Sequence, residues 1–131
     1  MTAVRYYSNT GNTKRIAEAI ANGAGTTAVS ITEEPMLREH VDVLFLGGAP
    51  YANIMAPELR RYAEGLTPEL VDRVVLFTTS NWSRRTIYAL RKLLTENGIP
   101  VEEKHFYAHM LQITRRLDAA QAFGVEYSKR G

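Results

Sequence analysis

A run of six small residues, SNTGNT from Ser8 to Thr13, separates an apolar segment from an alanine-rich segment. Ser8, Thr10 and Thr13 carry hydroxyl groups that can donate hydrogen bonds, and Gly11 lets the backbone approach a ligand closely. The segment that follows has a helical pattern, so the free N–H groups of its first turn would point toward the run. This combination of donors suits a phosphate monoester.

Two other interpretations of the run were weighed. A tight polar turn capped by Asn12 or Thr13 would need only one or two such residues, so six in succession favour the phosphate site. A Walker loop is excluded because the spacing G-x-x-x-x-G-K-[ST] is absent, which argues against ATP or GTP as the ligand.

The rest of the chain alternates short apolar runs with helical patterns, as in a parallel sheet with crossover helices. The VLFL run at 43–46 is apolar on both faces, which is typical of a central parallel strand. Segment 32–40 has only a weak helical pattern and is predicted to be a loop or a single turn. We predict five strands at Ala3–Tyr7, Thr27–Ile31, Asp42–Leu46, Arg73–Phe77 and Val101–Tyr107, and four helices at Lys14–Ala24, Pro57–Gly65, Arg84–Glu96 and Arg115–Tyr127.

Three predicted loops share a small, polar or aromatic character: 8–13, 47–53 and 78–83. Glycines and a proline at 47–50 are predicted to end the third strand, and the hydroxyl residues at 78–80 to close the fourth. In an open parallel sheet, ligands bind outside the carboxyl ends of the strands, near the point where the strand order reverses. The sequence therefore predicts one ligand site built from these three loops.

The run SNTGNT resembles the [S/T]-x-T-G-x-T phosphate loop of the flavodoxin family, and it follows a strand ending in Tyr. DVLFLGGAPY and RVVLFTTSNW match the two isoalloxazine loops of that family in position and character. The resemblance covers nearly the whole chain. It implies an α/β fold, a flavodoxin-like three-layer sandwich with a five-stranded parallel sheet in the order 2-1-3-4-5, and the length predicts a single domain over residues 1–131.

What the resemblance implies about ligands is a non-covalent FMN site. Loop 8–13 would hold the 5′-phosphate, and the other two loops would hold the ring, with Tyr51 and Trp82 as candidates to stack on its two faces. The cofactor-binding residues implied in this way are Ser8, Asn9, Thr10, Gly11, Asn12, Thr13, Gly48, Ala49, Pro50, Tyr51, Asn53, Thr78, Thr79, Ser80, Asn81 and Trp82.

The implied function is electron transfer by an FMN-binding flavodoxin, which shuttles single electrons between a reductase and a redox enzyme. Such a carrier needs no catalytic residue, and Ser80 lacks the nucleophile elbow of a hydrolase. Two alternatives stay open: an activator of a ribonucleotide reductase, and an FMN-dependent reductase of a quinone-like acceptor. A phospho-receiver module is disfavoured because Ser8 and Asn9 stand where paired acids are needed.

The composition limits the kinds of site, partner and cellular location that we expect for the chain. The chain of 131 residues has no cysteine, which excludes disulfides and thiolate sites, and its formal net charge is only +2. No signal pattern and no membrane-length apolar run are found, so we expect a cytoplasmic protein whose partners are neither nucleic acid nor membrane. His105 and His109 lie four residues apart without a carboxylate or cysteine to complete a shell, so no metal site is predicted.

Charge is where the sequence departs from the family, because flavodoxins are usually acidic whereas this chain has a pI near 9.0. Arg84 and Arg85 stand in the third loop, and beside the ring they would favour a reduced, anionic flavin. We therefore predict a less negative potential for full reduction than flavodoxins typically have. The remaining cations are interpreted as solvated helix faces or, alternatively, as a basic docking face for an acidic partner: Arg60, Arg61, Arg91, Lys92, Arg115 and Arg116.

Overall fold

The computed structural model describes residues 1–51 and 54–129, and it contains seven strands and four helices in these ranges. The strands are β1 (Thr2–Tyr7), β2 (Ala28–Ser30), β3 (Val41–Gly48), β4 (Pro50–Tyr51), β5 (Ile54–Met55), β6 (Val71–Ser80) and β7 (Phe106–His109). The helices are α1 (Asn12–Ala24), α2 (Pro57–Glu64), α3 (Arg85–Glu96) and α4 (Ile113–Ser128).

Five of the strands form one parallel sheet in the order β2-β1-β3-β6-β7. This confirms the predicted order, with the two strands of an additional small ladder inserted in the numbering. In the centre of the sheet Val4 pairs with Phe45, and Phe45 pairs with Val75. The additional ladder is antiparallel and joins β4 to β5, and the sequence did not predict it.

Each face of the sheet has its own apolar core. α2 and α3 pack on one face through side chains such as Leu59 and Leu90, and α1 and α4 pack on the other through Ile16, Ile20 and Ala120, all fully buried. The helical spacing of Ile16 and Ile20 explains this placement, because residues four apart share one helix face. The result is the predicted three-layer arrangement.

Two central strands are longer than predicted. Gly47 and Gly48 do not end β3, because the strand runs through both and both are buried. A Cβ at Gly47 would lie 2.4 Å from the Phe77 side chain, so glycine serves the packing of adjacent strands at this point. Similarly, Thr78 and the two residues after it continue β6 to Ser80 instead of closing it.

The last strand is the other correction. The predicted strand Val101–Tyr107 is wrong at its start, since Val101 forms only an isolated bridge with Val74 and β7 spans Phe106–His109. The physical reason is Arg91 on α3, whose guanidinium donates hydrogen bonds to the carbonyls of Glu102 and Glu103 at 2.9 and 3.1 Å. Those carbonyls are therefore turned toward a helix rather than toward a sheet neighbour.

The other boundaries shift by a few residues at most. Segment 32–40 contains turns and no helix, as predicted, and Gly25 with φ +75° caps the end of α1. None of the helices in the described part of the chain combines the length and the apolar character that a bilayer span requires.

α1 and α4 approach each other at two glycines. A Cβ at Gly23 would lie 2.0 Å from the carbonyl oxygen of Gln121, and a Cβ at Gly124 would lie 2.1 Å from that of Ile20. Neither distance is sterically possible, so glycine at both positions sets the separation of the two helix backbones.

Charges at most of the helix ends oppose the helix dipoles. Each helix has two adjacent cations at its cap or within its first five residues: Lys14 and Arg15, Arg60 and Arg61, Arg84 and Arg85, Arg115 and Arg116. The short α2 is the exception, because Glu58 lies in its first turn and Arg61 already lies in its last. The last turns of α2, α3 and α4 contain Glu64, Glu96 and Glu126. A charge of the wrong sign at a helix end is unfavourable by about 0.3–1 kcal/mol. Positive charge therefore collects at one end of the strand axis and negative charge at the other, although most of these positions lower the stability of the helices.

Replacing Gly124 by Ala should destabilise the protein by about 2 kcal/mol, because the new methyl group overlaps a backbone oxygen of α1 and forces the helices apart. Urea unfolding followed by circular dichroism measures the difference. Gly65→Ala is the matched control, since a Cβ there meets its nearest atom at an ordinary 3.6 Å and should change stability little. Equal losses in the two variants would contradict the close-packing explanation.

Replacing Arg115 by Glu should stabilise the protein by about 0.5 kcal/mol, because a carboxylate replaces a cation in the first turn of α4. The same unfolding experiment measures this gain, which should shrink at high salt. Arg38→Glu makes an identical charge change at an exposed loop position and should leave stability nearly unaltered. A loss of stability in Arg115→Glu would show that its cation is needed for the fold.

Candidate functional site

The three predicted loops meet at the carboxyl edge of the sheet, because β1, β3 and β6 are neighbours that end there. Three hydrogen bonds join them. The Thr13 and Thr79 hydroxyls are 2.7 Å apart, and the Thr78 hydroxyl donates to the carbonyl of Gly48 at 2.6 Å. The backbone N–H of Asn9 donates to the hydroxyl of Tyr51 at 2.8 Å. The loops thus form one connected site.

The first loop has the backbone of an anion-binding turn. Gly11 has φ +91°, a left-handed conformation that favours glycine, and its N–H donates to the Ser8 hydroxyl oxygen at 3.0 Å. α1 begins at the next residue, and no side chain caps it. The first N–H groups of α1 have no intrahelical partner and carry the positive end of the helix dipole. This end of the helix is therefore equipped to bind a negatively charged group.

The predicted hydroxyl donors of this loop have different roles. Thr10 is exposed, and the Ser8 hydroxyl keeps its own proton while its oxygen accepts from Gly11. Thr13 is only 1% exposed and shares a hydrogen bond with the buried Thr79. The Thr13 hydroxyl therefore stabilises the loops through a buried contact. The hydroxyls of Ser8 and Thr10 remain available to a ligand.

The second loop contributes Tyr51, which is half-buried and lies edge-on to Tyr7 with ring centroids 6.0 Å apart. Burial, and then the charge of Glu58, raise the pKa of Tyr51, although its hydrogen bond from Asn9 opposes the rise. Burial also raises the pKa of Tyr7, together with a hydrogen bond to Glu58 and its charge. Both phenols therefore stay protonated at neutral pH. Gly48 is the last residue of β3 and Pro50 the first of β4, with Ala49 between them, so this part of the predicted loop is mostly strand. Their predicted contact with a cofactor stays a prediction, and Asn53 lies outside the described residues.

The third loop presents Trp82, whose side chain is 73% exposed. Its φ of +76° is the only positive φ at a non-glycine among the described residues, and such a conformation costs on the order of 1–3 kcal/mol. Tyr107 on β7 holds this strained turn. Its hydroxyl accepts the Trp82 N–H at 2.8 Å and donates to the Ser80 carbonyl at 3.0 Å.

His109 supports the same loop. Its Nδ1 accepts the N–H of Leu111 at 3.1 Å, so the ring proton is on Nε2, which donates to the side-chain oxygen of Asn81 at 2.9 Å. The His109 ring lies 4.7 Å from the Trp82 ring, measured between centroids. Tyr107 and His109 were not predicted as site residues. Their spacing of two places both on one face of a strand, but no sequence signal places that face beside the third loop.

Arg84 adds charge beside this loop. Its guanidinium carbon lies 3.7 Å from the centroid of the Tyr107 ring, in a cation–π contact. Burial lowers the pKa of the nearby His105, and the positive charges of Arg84 and Arg91 lower it further. The electrostatic potential at this corner of the site is therefore positive.

The predicted hydroxyls of β6 are buried rather than presented to solvent. Thr78, Thr79 and Ser80 are at most 4% exposed, and the Ser80 hydroxyl donates to the carbonyl of Ser83 at 2.6 Å. With the bonds of Thr78 and Thr79 already described, all three hydroxyls are engaged within the protein. They position the loops, and their predicted contact with a cofactor stays a prediction.

A second polar cluster lies at the opposite edge of the sheet. His40 is 2.9 Å from Asp72 and 3.8 Å from Asp42, measured between ring nitrogens and carboxylate oxygens, and all three side chains are exposed. The amino terminus lowers the pKa of Asp42 through a hydrogen bond and its charge. This edge is therefore the acidic end of the molecule.

Comparison with known proteins gives matches in structure but not in sequence. No protein-family model matches the chain, and no curated protein matches it. A flavodoxin from the domain Archaea superposes with a TM-score of 0.81 at 18% identity, covering 99% of this chain and 98% of that one. Flavodoxin 1 from Bacillus cereus gives 0.80 at 17% identity, covering 100% and 99%.

A larger protein contains the same architecture. A flavodiiron core from Synechocystis matches with a TM-score of 0.76 at 14% identity, and the match covers 98% of this chain but only 35% of that one. All three matches extend over nearly the whole of this chain. The chain therefore has the flavodoxin-like α/β fold.

Proposed function

We propose that the chain binds FMN without a covalent link and serves as an electron carrier of the flavodoxin type. The observation that carries the proposal is the convergence of the three strand-ending loops around the uncapped start of α1. The structural likeness to flavodoxins over the full length of the chain supports it.

The residues of the first loop fit a phosphate monoester. Free N–H groups at the start of α1 would donate hydrogen bonds to its charged oxygens, and the hydroxyls of Ser8 and Thr10 would donate to them as well. The left-handed Gly11 gives the phosphate access to the backbone. Lys14 and Arg15, both exposed, follow at once and add positive charge.

The other two loops would hold the ring. Tyr51 and Trp82 are the aromatic side chains at this edge that are predicted to stack on the ring. Tyr51 is held through its hydroxyl and Trp82 through its backbone N–H. Bound FMN would supply the one-electron redox chemistry, and the chain would bind the cofactor, orient it and set its potential. Such a carrier exchanges electrons with a reductase and an acceptor enzyme, which we place in the cytoplasm.

No described feature favours the two alternatives over a carrier. A quinone-like reductase would bind a second substrate beside the ring and turn it over, which a carrier would not. Steady-state turnover with a pyridine nucleotide and a quinone would identify a reductase.

FMN added to the purified protein should lose its fluorescence on binding, and emission from Trp82, the only tryptophan, should be quenched in parallel. Thr10→Val removes an exposed hydroxyl without changing side-chain volume, and it should weaken binding about tenfold because a hydrogen bond to a charged group is lost. Fluorescence titration of both proteins measures the two dissociation constants.

The matched control is Thr95→Val, which removes an exposed hydroxyl in the last turn of α3, at the opposite edge of the sheet from the three loops. It should bind FMN as the original protein does. Thr13 is not a suitable test position, because it is buried and bonded to Thr79. The absence of any FMN binding by the unaltered protein would end the proposal.

Arg84 should raise the potential of the step that yields the reduced, anionic flavin, because a positive charge stabilises the anion. Arg84→Gln should make that potential more negative, by on the order of tens of mV, because one positive charge near the proposed ring site is removed. Spectroelectrochemical titration of the FMN-loaded protein measures both steps.

Arg38→Gln, at an exposed position in segment 32–40, is the control and should leave the potential unchanged. A very low potential for full reduction in the unaltered protein, or equal shifts in the two variants, would contradict a role for Arg84.

A further inference from the structure

We propose that the carboxyl edge of the sheet docks an acidic redox protein through a ring of cations and the apolar side chains between them. The ring, here called the basic edge, consists of the four cation pairs at the helix starts: Lys14 and Arg15, Arg60 and Arg61, Arg84 and Arg85, Arg115 and Arg116. That the partner is a redox protein rests on the proposed function, whereas its acidity follows from the surface itself.

The basic edge holds uncompensated charge. It contains eight of the sixteen lysines and arginines of the chain. No carboxylate of the described residues lies within ion-pair distance of these eight groups. In the described chain, Glu58 is the only acidic residue in the first turn of a helix. A partner with exposed carboxylates would meet cations whose contacts within the described chain are with neutral groups, such as the Arg84 contact with Tyr107 and the Arg15 hydrogen bond to Thr114.

The whole molecule reinforces this polarity. The starts of the four helices lie at the basic edge, so the positive ends of their dipoles add to the field of the side chains. The acids at the helix ends, together with Asp42 and Asp72 near the strand starts, make the opposite edge negative. A protein with a net charge of only +2 is thereby polarised along the strand axis. Such a field orients an acidic protein before contact.

Exposed apolar side chains lie between the cations. Ile54 and Tyr88 are 58% and 65% exposed, and with Arg60 and Arg85 they line a cavity of about 280 Å³. A second cavity, of about 410 Å³, lies on the other side of the basic edge, where the 85%-exposed Leu111 accompanies two further arginines. Neither cavity has a carboxylate in its lining. Apolar anchors surrounded by cations fit an acidic protein surface that carries apolar groups.

The two other anions considered fit less well. The phosphate of one FMN molecule would occupy the start of α1 and leave the cations of the other three helices unused. A nucleic acid would use the cations through its phosphates but would gain little from aliphatic groups such as Ile54 and Leu111. Protein docking uses both the charge and the apolar surface.

The position of the first cavity suits electron transfer. Ile54 pairs with Tyr51 in the small β4–β5 ladder, so a partner seated on Ile54 lies beside the proposed ring site. Docking there would bring the partner's own cofactor toward the residues that would hold the ring.

The test measures binding of a small acidic protein, a plant-type [2Fe–2S] ferredoxin, by surface plasmon resonance at low and at physiological ionic strength. Basic cytochrome c and a single-stranded DNA oligonucleotide serve as the opposite-charge and nucleic-acid probes. We expect ferredoxin to bind, its affinity to fall as salt rises, cytochrome c not to bind, and DNA to bind more weakly.

The double variant Arg60→Glu/Arg85→Glu should lose about tenfold or more in ferredoxin affinity. Arg38→Glu/Lys129→Glu makes the same change in net charge at exposed positions away from the basic edge, and should stay within twofold of the original protein. Tyr88→Ser should weaken binding without altering its salt dependence, whereas Val125→Ser, at an exposed apolar site on α4, should have no effect.

Several results would overturn the docking proposal: no binding of ferredoxin at low salt, equal losses in the two double variants, or tighter binding of DNA. All measurements are made with the protein before and after FMN is added. A protein that binds ferredoxin but never FMN would refute the proposed function and leave the basic edge intact as a docking surface. A protein that binds FMN but not ferredoxin would refute the docking proposal and leave the proposed function intact.

Discussion

The structure of the site depends on hydroxyl bonds between neighbouring strand ends. The bond between Thr13 and Thr79 joins the start of α1 to the end of β6, and the bond from Thr78 to the Gly48 carbonyl joins β6 to β3. These hydroxyls are buried, so each would be costly to leave unpaired, and their pairing fixes the spacing of the loops. Ligand contacts can then be made by backbone N–H groups and exposed side chains, which need a rigid support to be effective.

Much of this arrangement was predictable from local chemistry. The SNTGNT run, the helical spacing of Ile16 and Ile20 and the VLFL strand each determine their structure from adjacent residues. The sheet order was implied by the resemblance to flavodoxins, and the structure confirms it. The start of β7 was not predictable in this way, because it depends on Arg91 in α3. The Arg91 side chain donates hydrogen bonds to the carbonyls of Glu102 and Glu103, which lie outside its own helix. Tertiary contacts of this kind leave no periodic signal in the segment they reshape.

The same limit explains the glycines and the third loop. Gly47 was predicted to end a strand, yet its role is to accommodate Phe77 on the neighbouring strand, a contact that only the register of β3 and β6 creates. Trp82 was predicted as a stacking residue from its aromatic type and from the resemblance of its loop to an isoalloxazine loop. Its left-handed backbone and its support by Tyr107 require β7 to lie beside β6, so the residues that hold the loop could be identified only in the folded chain.

Charge connects the fold to the proposed docking. In a parallel sheet with crossover helices, every helix starts at the edge where ligands bind, so a cation placed there is near the site and also at the unfavourable end of a helix. The three pairs at the starts of α1, α3 and α4 carry an energetic cost that core packing must offset, and a redistribution of the same residues along the helices would avoid it. The stability of the helices does not explain why these cations lie at the helix starts. What their position does create is a positive long-range electrostatic field at the carboxyl edge of the sheet, and such a field acts on molecules outside the chain.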